Sequence, residues 1–122
     1  IGSRFVASSE SSAHPNFKDA VLNAKEGATK LTLKQLTPVR LMKNKFYEQI
    51  QAAYNENAST DDLKELLGRG RAKKGMFEGN LEDGELEIGQ ISSAINAIKP
   101  ARKIVEQIMR EFQLTLKGLQ TL

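Results

Sequence analysis

The 122-residue sequence has no cysteine and no tryptophan, only three prolines and a single histidine. Without cysteine there is no disulfide frame, no thiol nucleophile and no Cys-based metal site. His14 has no second histidine to join it, and no carboxylate falls at ligand spacing on its own predicted helix. A histidine-centred metal site or catalytic pair is therefore not indicated. Aromatic residues make up 6% of the chain, so any core is thin and suits apolar faces that meet another body. No apolar run approaches the roughly 18 residues of a membrane span. Neither charge sign dominates: 18 Lys and Arg face 15 Asp and Glu, a formal net charge of +3. That near-balance describes a solvated surface better than a nucleic-acid footprint. The lack of cysteine is compatible with the cytoplasm, the compartment expected here.

What is present reads as a mostly α chain with two short strands. Residues 1–6, with the apolar pair Phe5 and Val6 behind Gly2 and Ser3, read as the end of a buried strand. After a small polar loop, His14 and Pro15 start a helix, because proline at the first helical position forfeits only an N–H that has no partner there. Phe17, Ala20, Val21 and Ala24 give that helix one apolar stripe, and Gly27 a stop. Residues 30–34 alternate polar and apolar, as an edge strand does. A helix is expected from about Leu41, carrying Met42, Phe46, Ile50 and Ala53. Ser59, followed by Asp61 and Asp62, caps the next, whose stripe is Leu63, Leu66 and Leu67. Ile91, Ala94, Ile95 and Ile98 mark a short helix. Pro100 opens the last, with Ile104, Val105, Ile108, Met109, Phe112 and Leu116. The expected organisation is a first strand and helix over 1–27, a helical subdomain with an edge strand over 28–99, and a C-terminal helix over 100–122.

Three clusters carry candidate chemistry. GRGRAKKG, residues 68–75, holds Arg69, Arg71, Lys73 and Lys74, which could meet phosphates of an acidic partner; the acidic run that follows favours a solvated face. NLEDGELE, residues 80–87, has the acids and glycine of a calcium loop but not the alternate early oxygens, and reads as a turn. Gly2 and Ser3, two backbone N–H groups and a hydroxyl after an apolar strand, suit a phosphate. Gly89 and Gln90 form a second small polar loop.

The order of these pieces resembles a known family. Ile1-Gly2-Ser3-Arg4-Phe5, then Ala7, Glu10 and Ala13-His14-Pro15, is followed by Pro38-Val39-Arg40, Lys43-Asn44, Glu78-Gly79-Asn80, Asp83-Gly84 and Gly89-Gln90. This is similar to the C-terminal third of the nitronate monooxygenases (2-nitropropane dioxygenases), a family that includes the flavin-dependent enoyl-acyl carrier protein reductases. The resemblance weakens after about Pro100. It implies an FMN-binding TIM (β/α)8 barrel, with residues 1–6 as its eighth strand and exit. Barrels of this kind bind phosphate at the loops after strands seven and eight. By resemblance Gly2 and Ser3 map onto the FMN phosphate cradle, serine standing where the family has threonine. Gly89 and Gln90 map onto a Met-Ala-Gly-Gln loop that reaches back to the flavin, with Glu87 and Ile88 replacing Met and Ala. The family's catalytic histidine lies upstream of the eighth strand, so His14 is not its counterpart and no catalytic residue is assigned.

The resemblance thus implies an FMN-dependent oxidoreductase acting on nitronates with O₂. The alternatives are an enoyl-acyl carrier protein reductase and an NAD(P)H:flavin oxidoreductase, with NAD(P)H as reductant. The implied partners are a small-molecule substrate and the barrel portion that would complete the fold. By itself the chain is expected to be inactive. A reading from another class is a helical binding module that uses the patch from Arg69 to Lys74. A third is a homo-oligomer that hides the orphan apolar faces.

Overall fold

The computed structural model describes all residues from Ile1 to Leu122. In chain order these form α1 (Gly2–Val6), α2 (Pro15–Asn23), β1 (Thr29–Thr32), β2 (Val39–Met42), α3 (Lys45–Asn55) and α4 (Thr60–Leu67). A π-helical turn (Lys73–Phe77), a 3₁₀ turn (Gln90–Ala94) and α5 (Ala101–Gln120) complete the chain. No helix is long and apolar enough to cross a membrane.

The organising element is a small ribbon. β1 and β2 pair antiparallel, from Thr29 opposite Met42 to Thr32 opposite Val39. Residues 86–88 then run along the other edge of β2. The Met42 N–H donates to the Leu86 carbonyl at 2.9 Å and the Ile88 N–H to the Arg40 carbonyl at 3.2 Å. Side chains alternate across such a ribbon, and here the alternation separates two cores. Met42, Leu86 and Ile88 point to one side, against Ala7, Phe17, Val21 and Ile95. Leu41 points to the other, against Leu33, Phe46 and Ile50. Full burial of a side chain such as Phe17 or Phe46 contributes about 1.5–3 kcal/mol, so these few residues hold the fold.

Helix ends follow the sequence. The Asn44 side chain accepts from the Tyr47 N–H at α3 and also donates to the carbonyls of Leu81 and Gly84, both at 2.8 Å. Ser59 and Asp62 make a reciprocal capping box at α4. At the other end of α4 the Arg71 guanidinium donates to the carbonyls of Leu66 and Leu67, which the helix leaves unpaired. Glu10 accepts from the Ala101 N–H at the start of α5. Beyond its first turns α5 stands clear of the body: Ile104 is its one buried residue.

The fold is mostly helical with two short strands, but the strands are not both where the sequence suggested. Residues 1–6, expected as the last barrel strand and its exit, do not extend: Gly2–Val6 is a helix, and the Arg4 N–H donates to the Ile1 carbonyl at 3.0 Å. A short apolar pair such as Phe5-Val6 has no period that separates strand from helix. The second strand is Val39–Met42, so the helix expected from Leu41 starts four residues later, at Lys45. β1 ends at Thr32 because Leu33 takes φ 53° and turns the chain, its side chain entering the second core. The helix expected around Ile91–Ile98 is only the 3₁₀ turn Gln90–Ala94.

Candidate functional site

The first helical turn and the loop before the 3₁₀ turn meet. The Gly89 N–H donates to the Ser3 Oγ at 2.9 Å across 86 positions of chain. The approach requires glycine: a Cβ on Gly89 would lie 2.7 Å from that oxygen. The contact uses one acceptor position of the Ser3 hydroxyl and leaves its proton free to be donated. Gly2 is exposed, and a Cβ built on it would meet nothing within 4 Å. The Ser3 hydroxyl is thus held by Gly89 beside an uncrowded glycine.

Of the four residues singled out from sequence, the structure therefore joins Ser3 to Gly89 and keeps Gly2 beside them. Gln90 turns away, exposed, onto an open cavity of about 420 Å³ whose wall also carries Lys25, Glu26, Thr29, Arg40 and Ser93. Arg40 was read only as part of a motif. Its place beside Gln90 comes from the pairing of β2 with residues 86–88, which no local pattern announces.

His14 is a helix start. Its Nδ1 accepts from the Asn16 N–H at 3.1 Å, and its ring packs on Gly79, where a Cβ would strike the imidazole. The Asn16 side chain closes the corner by donating to the Gly79 carbonyl. The basic cluster is largely engaged. Arg71 caps α4, donates to the Asp83 carbonyl and lies 4.4 Å from the Phe46 ring centre. Lys73 pairs with Glu78 and Lys74 with Asp83.

One carboxyl is displaced from its ordinary range. Glu85 is 9% exposed, and its pKa is pushed up to about 7. Burial is the main cause, the neighbouring Glu87 adds to it, and Arg71 opposes both. Glu85 and Glu87 line a cavity of about 230 Å³ with Leu33, Val39 and Leu67, on the ribbon face opposite Met42.

The chain matches the nitronate monooxygenase family over residues 1–111 and belongs to that family. Its fold superposes on FabK from Thermotoga maritima with a TM-score of 0.85 at 34% identity, covering 97% of this chain and 37% of that one. A point mutant of the same protein gives 0.80 at 33%, covering 97% and 35%. The chain thus spans about a third of the length of these solved structures. No curated protein matches it in sequence.

Proposed function

We propose that this chain is the C-terminal part of an FMN-dependent oxidoreductase of the nitronate monooxygenase type, in which Gly2 and Ser3 hold the flavin phosphate. The observation that carries this reading is the Ser3–Gly89 hydrogen bond, since it joins the two loops that the family resemblance assigns to one cofactor. Gly2 and Ser3 would donate backbone N–H groups, and the Ser3 hydroxyl a third hydrogen bond. Gly89 would fix the hydroxyl's orientation. When bound, the flavin supplies the capacity to take electrons from a nitronate and pass them to O₂. The chain's own residues bind and orient. The rest of the barrel, with the catalytic histidine, would belong to the portion that the matched structures have and this chain does not span.

On this reading the 122-residue chain turns over no nitronate alone and binds FMN too weakly for stoichiometric uptake. Its contacts with the phosphate remain measurable. In backbone amide NMR, FMN at millimolar concentration shifts Ser3 and Gly89, riboflavin does not, and Ser3→Ala reduces the FMN response at least threefold. Equal shifts with FMN and riboflavin, or none at Ser3, would remove the assignment.

A further inference from the structure

Arg40 is a half-buried guanidinium with an open edge. Its Nη1 donates to the Thr29 Oγ1 at 3.2 Å and, at 3.4 Å, to the Thr29 carbonyl. Nε and Nη2 have no acceptor in the protein, and no carboxylate oxygen pairs with Arg40. Those two nitrogens form the edge that grips an oxyanion with two parallel hydrogen bonds. The edge is held in place: β2 fixes the backbone, Thr29 fixes one nitrogen, and the Ile88 N–H on the Arg40 carbonyl ties the strand to the loop that ends in Gln90. Arg40 and Gln90 share one cavity of about 420 Å³. The Gln90 side chain is exposed and makes no hydrogen bond within the chain. Lys25 adds a second cation to the wall and Glu26 a single carboxylate, which leaves the cavity net positive.

We propose that Arg40 and Gln90 form an oxyanion subsite, separate from the Ser3 cradle, that takes a phosphate group of the substrate or of a nicotinamide reductant. Arg40 presents Nε and Nη2 to two phosphate oxygens, and the Gln90 amide donates to a third. The subsite adjoins the flavin loop, because Gln90 follows directly on the glycine that contacts Ser3, and it favours the enoyl-acyl carrier protein reductase or NAD(P)H:flavin oxidoreductase alternative, since a nitronate carries no phosphate and needs no nicotinamide reductant. Its geometry does not depend on where the flavin phosphate sits.

The test is a titration of the 122-residue chain with inorganic phosphate, read at the Arg40 Nε–H and the Gln90 side-chain amide by NMR. Both signals should shift saturably, and Arg40→Gln should weaken the response at Gln90 at least tenfold while the Ser3 and Gly89 signals keep theirs. Gln90→Ala, which removes an exposed side chain without internal bonds, should weaken the Arg40 response about threefold and leave the amide spectrum otherwise intact. Titrations with NADPH and NADH separate the sources. A response at lower concentration with NADPH assigns the subsite to the reductant's extra phosphate. Nicotinamide nucleotides no better than inorganic phosphate overturn the reductant as the source of the phosphate. Shifts confined to Ser3 and Gly89, or a Gln90 response that survives Arg40→Gln, overturn the subsite and leave the flavin reading standing. Loss of the FMN response at Ser3, with that at Arg40 retained, does the reverse.

Discussion

Gly79 and Gly89 are both sites where a methyl group has no room, for different reasons. Gly89 has ordinary backbone angles and is bare so that its N–H can reach Ser3. Gly79 takes φ +79° and would also drive a Cβ into His14. Gly79→Ala should therefore lower unfolding stability by at least about 2 kcal/mol in urea titration, from left-handed strain and displacement of the imidazole together. Glu85 sets a pH dependence. Its folded pKa lies above its ordinary value of 4.5, so the folded chain holds a proton that the unfolded chain has released. The contribution of Glu85 to stability should be fullest below about pH 4.5, fall as pH rises towards 7, and level off above. Glu85→Gln should flatten that slope and raise stability above neutrality, as urea midpoints measured from pH 5 to 8 would show. His14 as a helix start was legible in the sequence because its chemistry is local, whereas the Ser3–Gly89 contact spans 86 positions and no local pattern announces it. Burial of Glu85 was not legible either, since it arises from packing beside α4 and β2.

At the scale of elements, caps were read well and strands poorly. Ser59 and Asp62 cap α4, and Pro100 precedes α5, as side-chain chemistry dictates. By contrast Val39–Met42 offers four residues between a proline and a helix, and its strand character comes from neighbours on both edges. The segment 86–88 is strand-like for the same reason. Its Leu-Glu-Ile alternation matches a ribbon with Met42 on one face and Leu41 on the other, a fit visible only once the pairing is known. Arg71 shows how a charge run misleads: the sequence presents a basic patch, while the fold uses the guanidinium to close α4 and to stack on Phe46. Arg71→Met keeps the stem but leaves the Leu66 and Leu67 carbonyls unpaired. It should cost about 2 kcal/mol, measured by thermal or urea unfolding against Arg69→Met, which should be near neutral.

For the whole molecule the division of labour is uneven. The two cores draw on residues from Ala7 to Ile95, whereas residues 109–122 are exposed. Met109, Phe112, Leu116 and Leu119 form an apolar stripe on α5, with Phe112 55% exposed. Deleting residues 112–122 should change the unfolding free energy by no more than about 0.5 kcal/mol; a larger loss in urea titration would mean that the stripe is covered in solution. Its composition was plain from the sequence. Its exposure was not, because an amphipathic pattern predicts a buried face without naming the body that buries it.

The bond between Ser3 and Gly89 also has a kinetic side. It closes a loop of 86 residues, and loop closure of that length carries an entropy cost of ~4 kcal/mol. A contact so distant in the chain should form after the ribbon and its two cores have brought Gly89 near α1. The Gly89 amide is thus a natural exchange clock: the rate at which it trades hydrogen for deuterium should report how often the Ser3–Gly89 contact comes apart while the rest of the fold stays closed.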